Sequence, residues 1–179
     1  LIAVCLAIAL GFTLYAVSAL QPLQPWHTER LDGEFTALRN SQLDFAGYLQ
    51  LEGELFDELA RTVARWDATD EAFIHSRFNT LGPLNVLADG ARYNRSYRLT
   101  PTAPRGTALL MHGLTDSPYS MKALAETLYA KGLDVTVLRL PGHGTLPSMM
   151  VEMSYRDWVA AMKLAARDDG LTRYLGTGD

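Results

Sequence analysis

The spacing of apolar residues changes character along the chain. From Leu1 to Thr28 there is no Asp, Glu, Lys or Arg, and "LIAVCLAIALGFTLYAVSAL" is almost continuously apolar. Such a run has the length of the roughly 20 residues that span a bilayer as a helix. Beyond the proline-marked linker "QPLQPWHTER", Leu51, Leu55, Leu59, Val63 and Trp66 recur at a near four-residue spacing, with Glu52, Glu54, Asp57, Glu58 and Arg61 between them. This spacing predicts an amphipathic helix from about Ser41 to Trp66, its leucine stripe packed into a core and its charges on the remaining faces.

From Asn85 onward the pieces shorten. "NVLADG" and "RYNRSYRL" read as strands joined at Asp89-Gly90, a hairpin signal. The proline-rich "TPTAPRG" leads into "TALLMH", which reads as a buried strand and so implies a covered sheet. Asp116 or Ser117 can then cap a helix with Pro118 at its first position. Met121, Leu124, Ala125 and Leu128 form its apolar stripe, and Gly132 ends it. A second β-branched run, "DVTVLRL", runs into the turn "PGHG". A further helix opens at Ser154 with Asp157 three residues on, its buried side marked by Tyr155, Trp158, Met162 and Ala165. Strand, helix, strand, helix at these lengths predicts right-handed crossovers over a parallel sheet covered on both faces. The expected fold class is α/β with a helical N-terminal extension.

Composition narrows the function. With 179 residues, 48% of them hydrophobic, there is material for one ordinary core. The balance of 16 basic against 20 acidic residues leaves no electrostatic footprint for nucleic acid. Cys5 is the only cysteine and has no partner for a disulfide or a zinc site. Val4 before it is too bulky for a lipidation site, and no pattern asks for a metal ion or a cofactor. Ala16, Ser18 and Ala19 fit signal-peptidase cleavage, whereas the length of the segment favours an uncleaved signal anchor. The expectation is a single-pass membrane protein with its domain on the periplasmic or extracytoplasmic side, the alternative being secreted or periplasmic after cleavage.

In open α/β sheets, function gathers beyond the carboxyl ends of the strands, and His112-Gly113-Leu114 stands at such an end. Gly113 permits a backbone geometry that other residues resist, so that the following N–H groups can turn toward a cleft and attract negative charge.

"LLMHGLTDSPYSM", followed after one helix by "VLRLPGHG", resembles the α/β-hydrolase superfamily, in particular its lysophospholipase, monoacylglycerol lipase and serine aminopeptidase-like branch. The resemblance covers roughly Asn85 to Arg167. It implies that the Leu114 N–H is one donor of an oxyanion hole, the kind of group whose loss typically costs about 3 kcal/mol of transition-state stabilisation. It also implies that His112 and Gly113 shape that loop and that Gly142, His143 and Gly144 form a turn beside it. The catalytic histidine of this fold follows the nucleophile and the acid in chain order, so neither His112 nor His143 is expected to be the base.

The nucleophile itself has no candidate. No serine here has glycines two places to either side, as the fold's Gly-x-Ser-x-Gly elbow demands. Ser117 and Ser120 stand at a helix start with no base placed to activate them, and "RDDGLTRYLGTGD" holds too few β-branched residues for the next strand. Residues 85–179 therefore read as the N-terminal portion of a hydrolase domain, after an anchor or signal segment over 1–20 and a linker and helical extension over 21–84. Nucleophile, acid and base are expected beyond this chain. The function implied is that of a membrane-anchored or exported serine hydrolase acting on carboxylic esters, small or lipid-like. Amide hydrolysis and a non-catalytic binding module are the alternatives, since fold does not fix substrate. A half-sheet alone is expected to be inactive and prone to aggregate.

Overall fold

The computed structural model describes residues 2–20, 22–66, 71–79, 81–82, 85 and 94–171. Three strands, β1 (Tyr97–Leu99), β2 (Gly106–Met111) and β3 (Leu133–Leu138), form one sheet in the order β1-β3-β2. β1 runs antiparallel to β3, with Arg98 opposite Thr136, and β2 runs parallel to it, with Gly106 opposite Leu133 and Met111 opposite Leu138. The helices are α1 (Ile2–Ser18), α2 (Pro25–Thr28), α3 (Phe45–Val63), α4 (Glu71–Ile74), α5 (Lys122–Ala130) and α6 (Tyr155–Asp168). A parallel pair needs a crossover, and α5 supplies it between β2 and β3.

Side chains that alternate along β3 sort its two faces. Val135 and Val137 point toward α5 and close over Ala125 with no solvent exposure. On the other face Leu138, continued by Leu140, packs with Phe45 and Tyr48 of α3 and with Ala161, Leu164 and Ala165 of α6. A second cluster on α3 joins Leu55, Leu59 and Val63 to Leu31, Phe78, Leu146 and Met149, with Trp26 and Trp66 against it. The helical extension is thus a layer of the domain, and the fold is mixed α/β.

Local chemistry sets the helix ends. α3 begins at Phe45, later than the Ser41 expected from periodicity, because Asp44 is extended and its side chain accepts the Gly47 N–H at 2.8 Å. α6 opens with the reciprocal Ser154–Asp157 capping box. Asp157 also accepts the Ala37 N–H at 2.8 Å, which staples the extension to the helix start. Pro118–Met121 is a 3-10 turn ahead of α5, and the Ser117 hydroxyl does not cap it. Tyr155, expected on the buried side of α6, is exposed, since the buried face runs through Asp157, Ala161, Leu164 and Ala165.

One expectation needs correction. No helix among the described residues is long and apolar enough to cross a membrane. The apolar N-terminal segment forms the 17-residue α1. Its large apolar side chains from Val4 to Val17 are all exposed, so the domain gives them no cover. The Asp89-Gly90 turn and the tail 172–179 lie outside the described residues.

Candidate active site

Because Met111 and Leu138 are paired in register, β2 and β3 end level and release His112-Gly113-Leu114 and Arg139-Leu140-Pro141-Gly142-His143-Gly144 side by side. Two buried histidines join these segments. The Leu140 N–H points at His112 Nε2 (3.1 Å), and a backbone amide can only donate, so Nε2 carries the lone pair. His112 Nδ1 therefore holds the hydrogen and donates it to the Gly113 carbonyl at 2.9 Å. Burial, against the opposing pull of that carbonyl, lowers the His112 pKa to about 4, so the ring is a neutral staple at physiological pH.

His143 sits 4.8 Å from the His112 ring and 5.7 Å from Trp158, centroid to centroid. Its Nε2 lies 2.8 Å from the Leu114 carbonyl and its Nδ1 3.1 Å from the Pro141 carbonyl. Trp158 Nε1 already donates to that Pro141 oxygen at 3.0 Å. Leu114 O gains its hydrogen bond only if Nε2 carries the hydrogen, so the ring clamps the loop across the gap between the strands.

The Leu114 amide follows from these clamps. The Gly113 carbonyl is drawn both to His112 Nδ1 and to the Asp116 N–H (3.2 Å). The peptide it shares with Leu114 is trans, so the Leu114 N–H points the opposite way. Among the described residues no acceptor takes it. Gly113 itself does not have the backbone conformation expected of it: its φ is not positive, and a Cβ added there would meet nothing within 4 Å. What glycine leaves at that position is space.

At Gly142 and Gly144 the reverse holds. Their φ angles are +81° and +73°, and added Cβ atoms would come within 2.6 Å of Met153 Cγ and 2.7 Å of the Asn94 carbonyl. The turn needs both. Neither nearby serine meets a base: Ser117 Oγ donates to Asn94 Oδ1 (2.9 Å) and Ser120 Oγ to the Ser117 carbonyl (3.0 Å). Among the described residues no group of three His, Cys, Asp or Glu is arranged to hold a metal ion.

Beneath the turn lies a charged cluster that the sequence reading missed. Arg139 and Glu34 are both almost wholly buried. Arg139 Nη1 and Nη2 meet Glu34 Oε2 and Oε1 at 3.0 and 2.9 Å, and Nη1 also donates to the His143 carbonyl at 2.9 Å. Glu34 Oε2 accepts the Gly142 N–H at 2.9 Å. From α3, Tyr48 donates to the Arg139 carbonyl at 2.6 Å, and buried Glu52 lies 3.4 Å from Arg139 Nε while accepting from Ser96 N and Oγ. Burial favours the neutral arginine, but Glu34, Tyr48 and Glu52 together outweigh it and hold the Arg139 pKa above its ordinary value. Burial pushes the Glu52 carboxyl up, with Arg139 and Ser96 opposing.

A signal for Glu52 exists: Tyr48, Leu55, Phe56, Leu59 and Val63 form the buried stripe of α3, and Glu52 stands in its middle. Arg139 likewise interrupts an apolar run. Nothing local marks Glu34.

No family model matches the chain. A solved structure of LipS and LipT, two metagenome-derived lipolytic enzymes, aligns with 36% identity over 42% of this chain and 30% of that one, at a TM-score of 0.39. A thermostable monoacylglycerol lipase from Bacillus sp. (strain H-257) is 44% identical over 55 residues, which make up 31% of this chain. Over these 55 residues the chain is similar to that lipase, and it spans 22% of the lipase's own length.

Proposed function

We propose that the chain carries the oxyanion-loop portion of a serine hydrolase acting on carboxylic esters, small or lipid-like. One observation supports this reading above the others. At the carboxyl end of β2, the Leu114 peptide has its carbonyls pinned by His112, Asp116 and His143, while its N–H is taken by no described acceptor. Beside it, Gly113 leaves open space where any other residue would place a Cβ. A donor held in place with no acceptor of its own is what a tetrahedral oxyanion needs. In this reading His112 and His143 hold the loop and do not move protons.

The chemistry follows the acyl-enzyme scheme. A serine oxygen attacks the ester carbonyl as a general base takes its proton, and the Leu114 N–H shares in holding the oxyanion. The alcohol then leaves with that proton, and water releases the acid by the same steps. We place nucleophile, acid and base outside these residues. β2 is one of the two outer strands among those described, and its half-buried, apolar "TALLM" offers an edge for a further strand. We place the domain outside the cytoplasm, with the exposed apolar α1 as its exporting element. No cofactor is required by this scheme.

Two measurements test the reading. Translation of the DNA that follows the codon for Asp179 is expected to give a β-branched run and a Gly-x-Ser-x-Gly elbow, then an acid and a histidine. The full-length protein is expected to react with a fluorophosphonate probe and to hydrolyse p-nitrophenyl esters. A full-length protein that does neither contradicts the proposal.

A further inference from the structure

We infer that Glu34 is a positioning residue for the Leu114 N–H, through which the N-terminal extension braces the oxyanion loop. The inference rests on the hydrolase reading above and adds to it a role for residues outside the segment that resembles the hydrolases. The path is short. Glu34 Oε2 holds the Gly142 N–H, and Arg139, gripped by both Glu34 oxygens, holds the His143 carbonyl. These bonds fix the backbone on which the His143 ring stands, and that ring clamps the Leu114 carbonyl at 2.8 Å. From Glu34 to the Leu114 peptide there are only the turn and one imidazole.

Stability alone is a poor reason for this arrangement. A buried ion pair often stabilises no better than apolar side chains of the same volume, because both charges must be stripped of water. What Glu34 supplies and a leucine would not is direction: one carboxylate orients an amide of the turn and, through Arg139, a carbonyl of the same turn. Glu34 is in turn held in place, with its Oε1 accepting the Phe35 N–H at 2.9 Å and Phe35 buried edge-to-face against Tyr48 of α3. Tyr48 reaches the same strand end from α3 through the Arg139 carbonyl. Two separate parts of the extension therefore converge on one turn.

The test compares E34Q with E152Q in the full-length protein. Glu152 pairs with Arg30 of the extension at the surface and touches nothing in the turn. E34Q is expected to lower kcat for a p-nitrophenyl ester about tenfold, since small misplacements of a catalytic group are costly, and to leave KM within about twofold. E152Q is expected to leave both unchanged. E34D, which keeps the charge, is expected to recover part of the loss. With 15N-leucine labelling, the Leu114 amide resonance is expected to shift in E34Q and to stay in place in E152Q. Y48F, which keeps the shape of the core, is expected to lower kcat about twofold to threefold and serves if E34Q does not fold. A folded E34Q, or Y48F in its stead, with wild-type kcat and an unmoved Leu114 amide overturns the brace while leaving the hydrolase reading intact. A wild-type protein without esterase activity overturns the hydrolase reading, and the positioning role with it.

Discussion

The two faces of β3 differ in one respect: the α5 face is apolar throughout, whereas the other adds directed polar contacts to the Leu138 cluster. Toward α5, Val135 and Val137 meet Ala125 in a wholly apolar contact. On the other face Asp134 binds Arg98 through two oxygens, at 3.0 and 2.6 Å, and Thr136 donates to Asp169. Just past the strand, Arg139 enters its cluster with Glu34 and Glu52. The apolar face is non-directional and tolerates adjustment, and it fixes where α5 lies. The polar side fixes where individual backbone groups point, and the candidate oxyanion loop sits above it. Burial builds the layer, and hydrogen-bonded charge aims the loop.

Substitutions can separate the two. Arg139→Met is expected to be the most damaging, at about 3–5 kcal/mol in urea unfolding, because it strands Glu34 as a buried unpaired charge and takes the cation from beside Glu52, which keeps Ser96. Adding Glu34→Leu to it should restore a large part of the stability and none of the esterase activity. If the double variant is no more stable than the single, the contrast between the faces is wrong. On the apolar side, Val137→Ala should cost about 2 kcal/mol for two lost methyl groups and their void, with kcat unchanged. Gly144→Ala, strained at φ +73° and crowded by the Asn94 carbonyl, should cost about 2 kcal/mol and should also lower kcat. Thermal unfolding with ester turnover checks both.

A pH series probes the His112 staple itself. The His112 pKa is lowered to about 4 in the folded protein, against about 6.5 in the unfolded chain. Between those values the unfolded state binds more protons, so stability falls as pH drops from 6.5 toward 4. Protonation would also place a hydrogen on Nε2, facing the Leu140 N–H. His112→Gln is expected to flatten this part of the stability profile, read as the unfolding midpoint at pH 7, 5.5 and 4.5.

How far the sequence could be read follows the same division. Non-directional burial leaves a periodic trace, so α5, α6, β2, β3 and the Ser154–Asp157 box were all legible. So was the resemblance of "LLMHGLTDSPYSM" and "VLRLPGHG" to the α/β-hydrolases. Directed contacts leave almost none. Glu34 meets a partner 105 positions away, and nothing within its own turn points there. Glu52 departs from the expectation that a charge faces water, although its spacing from Tyr48, Leu55 and Phe56 places it on the buried stripe. Tyr155 departs from expectation in the converse sense, an aromatic ring at a helix start that faces solvent. The apolar length of the N-terminal segment predicts a span, whereas no described helix is long and apolar enough to cross a membrane. At Gly113 the expected glycine-only conformation is not found, since its φ is not positive and a Cβ there would meet nothing.

The account depends most on the Leu114 N–H. Replacing Leu114 in the full-length protein by leucic acid exchanges that N–H for an oxygen and leaves the side chain and the carbonyl held by His143 in place. Loss of one such donor is expected to lower kcat by about 100-fold or more, with the unfolding midpoint little changed. A backbone ester at this position that turns over substrate at the wild-type rate would contradict the assignment.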